Sequence, residues 1–472
     1  MNNLVWFRND LRIEDNLALN NACKNKKKNI IALFMSTTKQ WKKHNISDIQ
    51  AFFIYKRLLF LKKKLKKLNI SFLYKELNNF SDSVKYLLLI CKKYKINKVF
   101  YNYQYEYNEK KRDLNSYKLL SINKINMYGF HDSILINPKM IKTNSKKAYK
   151  VFSFFKKKAL FILNKNSFFN KKKYLKNCSI LKRKKLFLKF SKEKIPYFNF
   201  YKKKFNKKYF PIKDKKIFIK IKNFFKKKIK FYAKNKDFPY LNNTSFFSVY
   251  LSLGIFSVRK IFYHIKILKK KDKNSFIFLE KLLWREFFKH LVNFYPILSR
   301  NGSLKTFKTK IKWKNNINHL NSWKNGCTGF PIIDSGMRQL NKIGWMHNRL
   351  RMLTSNFLVK NLLINWRLGE QYFMLKLIDS DYSLNNSNWQ WISSIGTDSS
   401  FYIRTFNPYI QSKKFDCNGI FIKKYIKELK NVPIKYIHKP YLWLKKNEPY
   451  SNYPKPIVEY EKVKNIFLKK IK

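Results

Sequence analysis

Glycine is scarce: ten in 472 residues, the first of them Gly129. A phosphate-binding G-x-G-x-x-G turn after a first strand is therefore impossible, which excludes a nicotinamide-binding domain of that kind from the N-terminal region. Cysteine is equally thin. Cys23, Cys91, Cys178, Cys327 and Cys417 are scattered, odd in number and without any C-x-x-C pair, which argues against a disulfide framework and against a zinc site. No stretch of about 18 uncharged apolar residues occurs, so no membrane-spanning helix is expected. Residues 1–10 lack the basic-then-apolar layout of a secretory signal, and a cytosolic protein is the expectation. Acidic residues are few: 26 Asp and Glu stand against 104 Lys and Arg, a formal charge of +78. Such an excess suits a polyanionic partner, nucleic acid first. Lys, Asn, Ile, Phe and Tyr are inflated together, however, as an AT-rich coding sequence produces, so part of this charge is read as solvated surface.

What is present has an order along the chain. The first 135 residues alternate short apolar runs (Leu4–Phe7, Asn29–Met35, Ile70–Tyr74, Lys98–Asn102) with helical patterns. The clearest helix is Ile49–Leu68, with Phe52, Tyr55, Leu58, Leu59, Leu61, Leu65 and Leu68 at helical spacing. That alternation predicts an α/β domain with a doubly wound parallel sheet. Residues 136–210, rich in Lys, Phe and Asn, read as an interdomain connection. From 211 to 472 helical patterns dominate, and eight of the ten tryptophans lie beyond residue 280. An aromatic-rich, all-α C-terminal domain is expected there.

Four segments carry chemistry. In Ile378-Asp-Ser-Asp-Tyr-Ser-Leu-Asn-Asn-Ser-Asn-Trp-Gln-Trp391, Asp379 and Asp381 precede a run of amides and two indoles. A calcium loop needs glycine at its sixth position and an acid at its twelfth. Leu384 and Gln390 stand there, so calcium is rejected, and a capped turn between two helices is the plain alternative. In Gly344-Trp-Met-His-Asn-Arg-Leu-Arg-Met352, Asn348, Arg351 and Met352 share a helical face, and Arg351 is placed to pair with Asp379 or Asp381. In Trp284-Arg-Glu-Phe-Phe-Lys289, one face gathers Lys281, Trp284, Arg285 and Phe288. Cations and aromatics so mixed suit phosphates and stacked bases, although a half-buried amphipathic helix looks the same. Thr244-Ser-Phe-Phe-Ser248 places hydroxyls at a helix start, fit for a phosphate or simply for capping.

Together with Val5-Trp-Phe-Arg-Asn-Asp-Leu-Arg12, Asp15-Asn16 and Trp389-Gln-Trp391, these segments resemble the photolyase/cryptochrome family in order and spacing, from Leu4 to about Glu459. The likeness is greatest to the bacterial class I cyclobutane-dimer photolyases with a folate antenna. The resemblance implies an antenna-binding α/β domain and an all-helical domain holding FAD. FAD contacts carried over are Tyr232, Thr244, Ser245, Phe246, Phe247, Ser248, Phe278, Arg351, Asp379, Ser380, Asp381 and Asn385, the last facing flavin N5. His44, Asn108 and Glu109 match the antenna site for 5,10-methenyltetrahydrofolate. Lys236, Lys281, Trp284, Arg285, Phe288, Asn348, Arg349, Trp391, Arg404 and Gln411 match DNA-contacting positions. Trp313, Trp366 and Trp389 stand where the family has its electron-transfer tryptophans.

The implied reaction is light-driven repair of cyclobutane pyrimidine dimers in UV-damaged DNA, by a monomer that needs no protein partner. Excited reduced FAD lends an electron and receives it back, so no triad, general acid or metal is expected. Two positions depart from the family. Phe278 stands where tryptophan is usual, and Lys281 where a glutamate usually reads the dimer. Glu280, one residue earlier, lies about 100° around the helix and cannot simply substitute. The rivals are a cryptochrome-type blue-light receptor, against which Asn385 speaks, and a non-enzymatic basic nucleic-acid-binding protein.

Overall fold

The computed structural model describes residues 2–25, 28–165, 205–206, 209–268, 272–304, 313–397 and 405–469. Strands β1 (Asn2–Phe7), β2 (Ile30–Thr37), β3 (Ser71–Leu77), β4 (Ile96–Asn102) and β5 (Asn126–Phe130) form one sheet in the order β3-β2-β1-β4-β5. Every neighbouring pair is parallel. The period-2 alternation of side chains divides the strands between two cores. Leu4, Trp6, Ile31, Leu33, Val99 and Tyr101 pack on one face, and Val5, Phe7, Ala32, Phe34 and Phe100 on the other. Both faces being covered, the strands are nearly continuous apolar runs, as buried parallel strands are. The sequence pattern predicts four strands and not β5. That edge strand, Asn-Met-Tyr-Gly-Phe, shows only Met127 buried, so its pattern is weak.

The expected Ile49–Leu68 helix is Asp48–Lys67. Its N-cap, Ser47, accepts from Gln50 N at 3.1 Å and donates to Leu377 O at 2.6 Å. One hydroxyl thus starts the helix and ties it to the helical half of the molecule. From Asp214 onward the described elements are all helical. Of the expected 136–210 connection, Phe152–Asn164 is a helix, and 166–204, 207 and 208 lie outside the described residues.

The N-terminal Arg-Asn-Asp-Leu-Arg string makes the joint between the halves. Arg8 pairs with Asp113 at 2.6 Å and Arg12 with Asp132 at 2.7 Å, all nearly buried. Arg12 also donates to Gly254 O at 2.9 Å. Arg259, from the helical half, reaches Asp15 and Asp132 at 3.1 and 2.8 Å. Gly254 has φ +54°, and a Cβ there would sit 2.3 Å from Asn9 O. Glycine is needed for this approach.

Candidate active site and a second cavity

A cavity of about 480 Å³ opens in the helical half. The long Lys273–Phe294 helix lines it with Phe278, Lys281, Trp284, Arg285 and Phe288, and the Tyr382–Ile392 helix with Leu384, Asn385, Trp389 and Trp391. Tyr232, Thr244, Ser245, Phe247, Ser248, Arg351 and the Asp379–Asp381 turn complete the wall.

Of the two partners open to Arg351, the structure selects Asp379. Arg351 Nη2 donates to its two oxygens at 3.0 and 2.8 Å, and the carboxylate is buried. Asp381 instead pairs with Lys289 at 2.8 Å. It also caps the following helix, accepting from Leu384 N. Burial works against the Asp381 carboxylate, but Lys289 and Arg285 outweigh it and hold its pKa below the usual range. Ser380 donates to Gln50 Oε1 of the α/β half at 2.8 Å. The amide of Asn385 donates to Glu370 O at 2.9 Å, which leaves its carbonyl oxygen as the acceptor. Ser248 begins a helix, Ser248–Ser252, whose N-cap Phe247 makes no side-chain capping bond.

Two donors in this wall have no hydrogen-bond partner among the described residues: Trp345 Nε1 and Arg285 Nε. Buried donors are normally satisfied, so a polar ligand fits here. Phe246 is the one member of its run that does not line the cavity. It takes φ +57° and lies against Trp345, ring centroids 4.1 Å apart.

The placement of the DNA-contact positions is uneven. Trp284 and Trp391 are half-buried at the cavity and Lys281 and Asn348 are exposed beside it. Arg285 is buried, donating to Ser133 O at 2.7 Å, so its guanidinium braces the wall rather than reaching the mouth. Phe288 is likewise buried wall. Lys236 and Arg349 both hold Asp237, at 2.5 and 2.8 Å. Gln411 lies in the Pro408–Phe415 helix outside the cavity lining. Arg404 lies outside the described residues.

Trp389 reaches the cavity and is buried against Phe373, centroids 5.1 Å apart. Trp366 is buried in the same core and Trp313 packs at its edge. Gly369 makes room for this indole: a Cβ there would lie 2.2 Å from Trp389 Cη2.

A second cavity, about 450 Å³, lies where the strand order reverses between β1 and β4. Loops beyond the carboxyl ends of such strands form the usual ligand crevice of open α/β sheets. His44, Asn108 and Glu109 meet here. Asn108 Nδ2 and His44 Nε2 are 3.0 Å apart, and His44 Nδ1 is 3.4 Å from Glu109 Oε1. Burial would lower the pKa of His44, but Glu109 outweighs it and the net shift is upward. Glu109 Oε2 is buried and unpartnered among the described residues. Ser380 and Asp381 line both cavities.

Residues 3–171 match the family described as DNA photolyase, and residues 278–472 the FAD binding domain of DNA photolyase. The deoxyribodipyrimidine photo-lyase of Buchnera aphidicola from Acyrthosiphon pisum is 46% identical over 97% of this chain and 94% of that protein. That of Escherichia coli K12 is 37% identical, covering 98% and 96%. The chain belongs to the DNA photolyase family. Among solved structures, a Synechocystis cryptochrome superposes with a TM-score of 0.84 at 25% identity, covering 100% of this chain and 99% of that one.

Several residues of this photolyase-family site escaped sequence reading. Lys289, the partner of Asp381, follows Arg285 by one helical turn, and that spacing was the available signal. Trp345 stood inside a quoted motif, but nothing in sequence tells that its N–H is orphaned. Glu370 is buried, and burial pushes its carboxyl up to about 7 although Asn386 donates to it at 3.4 Å. No local pattern marks it.

Proposed function

We propose that this chain repairs cyclobutane pyrimidine dimers in UV-damaged DNA, using light absorbed by FAD held in the helical cavity. The observation that carries the reading is that cavity's wall. Half-buried Arg351 paired with buried Asp379 lines it, as do Trp345 and Arg285, each with a donor unpartnered among the described residues, and the half-buried indoles Trp284 and Trp391 line it beside cations. Bound and reduced FAD supplies, on excitation, one electron that splits the dimer and is then returned.

The residues have distinct tasks. Arg351 and Asp379 fix charge beside the flavin, and Asn385, oriented by Glu370 O, offers it an acceptor. Tyr232, Phe247 and Phe278 exclude water, their rings packed within 5.1 to 5.9 Å of one another in the pairs Tyr232–Phe278 and Phe247–Phe278. A damaged, poorly stacked pair is cheaper to extrude from the duplex, a step for which photolyases are a standing example. Trp391 flanks the extruded bases, as does Trp284 with the face of its indole not stacked on Phe152, whose ring centroid lies 3.7 Å away. Lys281, flexible and exposed, contacts phosphate. Trp389, Trp366 and Trp313 carry the hole outward when oxidised flavin is photoreduced.

The second cavity is the antenna site, and 5,10-methenyltetrahydrofolate its ligand. The unpartnered Glu109 Oε2 is the acceptor such a donor-bearing ring needs. Action as a monomer in the cytoplasm belongs to the same proposal, and sedimentation of the purified protein tests the first of these.

The decisive experiment mixes purified flavin-loaded protein with a dimer-containing oligonucleotide under blue light. Intact thymines should reappear in the light and not in the dark. A flavin that photoreduces while the dimer persists would favour the photoreceptor reading. A colourless protein that takes up no flavin yet binds DNA would favour the plain nucleic-acid-binding one.

A further inference from the structure

Asp237 lies in the wall of the flavin cavity beside Lys236, Lys281, Asn348 and Arg351. Each of its carboxylate oxygens is taken by a different cation. Lys236 Nζ is 2.5 Å from Oδ2, and Arg349 Nη2 is 2.8 Å from Oδ1. Arg349 is further seated over the Phe415 ring at 4.4 Å. Burial alone would raise the Asp237 carboxyl, but Lys236 and Arg349 together hold it below the usual range. Lys281, on the neighbouring helix, feels the same carboxylate and makes no ion pair among the described residues. His347 also faces this group. The arrangement is a pair of cations closed on one monovalent anion, at the opening through which a nucleic-acid strand would reach the flavin.

A phosphodiester presents what Asp237 presents: one negative charge shared by two oxygens. Arginine and lysine bind carboxylate and phosphate with the same donors. We propose that Lys236 and Arg349 form a phosphate subsite which Asp237 occupies in the free protein, and that a DNA phosphate must displace Asp237 to enter it. The inference rests on the DNA-repair reading above and adds an internal competitor to it. In a chain with 104 basic residues, sequence-blind attraction to any duplex is the ready hazard. An anion built into the subsite lowers affinity there and speeds release of repaired strand. The opposite role is distinguishable. If Asp237 merely holds the two cations in place for an incoming phosphate, its removal weakens binding.

The test is equilibrium binding of flavin-loaded protein to a dimer-containing duplex and to its undamaged counterpart at two salt concentrations. Asp237→Asn should bind both more tightly, by roughly three- to tenfold, the scale of one or two part-exposed ion pairs. Its plot of log affinity against log salt should steepen by about one, the slope of one further phosphate contact. Asp237→Glu, which keeps the charge, should stay near the parent. Asp237→Ser provides a second neutral side chain should the amide variant accumulate poorly. Weaker binding by a neutral variant that retains flavin overturns the proposal, and so does an unchanged salt slope. Loss of flavin by both neutral variants overturns it too, since the carboxylate would then be scaffold. Light-dependent repair by the parent on the same duplex is read separately. Its absence would remove the repair reading while the sign of the Asp237 effect stays measurable.

Discussion

The two cavities are of similar volume and differ in what encloses them. The helical cavity is walled largely by aromatic and aliphatic side chains, with its charge in two groups, the Arg351–Asp379 pair beside Asp381 and Arg285, and the Lys236–Asp237 pair beside Lys281. The cavity at the sheet's switch point is walled by ionisable groups that already have partners: His44 holds Glu109, Arg8 and Arg112 hold Asp113, Asp132 holds Arg12, Asp10 accepts from Asn102 and Glu106 from Ser383. A ligand in the first gains apolar contact and satisfies orphaned donors. A ligand in the second must fit among existing hydrogen bonds and adds few new ones. Removal of one buried charge should therefore strip the first cavity of its ligand, whereas in the second only loss of the one acceptor left without a partner among the described residues, Glu109 Oε2, should do so.

The largest expected effect follows from that contrast. Asp379→Asn leaves Arg351 without its counter-charge in a mostly desolvated wall, and loss of one partner of a buried pair costs about 3 kcal/mol. The variant should lose most of its flavin on purification, read as visible absorbance per protein, and should melt earlier. Full flavin content would show that the wall's apolar surface alone holds the group.

Glu370 comes next, because it lies on the switch-point cavity while its backbone orients Asn385 of the other. Its carboxyl is pushed from 4.5 up to about 7 by burial. The folded chain thus keeps a proton that the unfolded chain releases, so stability falls as pH rises from 4.5 to 7, by about 3 kcal/mol. Chemical denaturation at pH 5 and pH 8 measures this. Glu370→Gln should flatten the dependence, and an equally steep profile in that variant would assign it elsewhere.

A smaller effect is expected at the His44–Asn108–Glu109 cluster proposed as the antenna site. Glu109→Ala should lose a near-UV absorber while keeping FAD and dark binding to DNA, read by the absorption spectrum at defined stoichiometry. His44 titrates above the usual histidine range because Glu109 outweighs its burial. Its charged pairing is therefore complete below the ordinary histidine pKa and is lost as pH rises through the raised value. Antenna content should fall with pH in that order, and content that rises with pH would contradict it.

The smallest effect on stability belongs to Trp313, at the edge of its core rather than within it. Trp313→Phe should leave the melt nearly unchanged and slow photoreduction of oxidised flavin. Repair by chemically reduced protein should be spared. Equal loss of both activities would refute the separation.

The same contrast explains what could be read from sequence. Strand-helix alternation and the 3.6-residue spacing of Asp48–Lys67 are local signals, and they foretold the parallel sheet and its longest helix. The site's motifs were legible because W-R-E-F, the Asp379–Asp381 turn and the Gly344–Met352 segment each form a short continuous stretch. What was not legible depends on residues brought together from afar. Arg285 reads as a surface cation until Ser133, 152 residues away, takes its guanidinium. Lys236 and Arg349 read as free until Asp237 is seen between them. The choice of Asp379 over Asp381 as the partner of Arg351 needed the turn's geometry, since two residues of spacing say nothing about which carboxylate faces which helix.

The apolar core that begins on one face of the sheet does not stop at the boundary of the α/β half. Phe7 and Phe53 belong to one buried cluster with Tyr250, Phe287 and Phe288 of the helical half. The halves should then melt in a single cooperative step, and a fragment of residues 1–135 produced alone would expose the face that Tyr250 and Phe287 cover. Inheritance follows the same rule. One half cannot be exchanged for a stranger's without recutting this seam, so the α/β and helical halves are held together as one heritable unit.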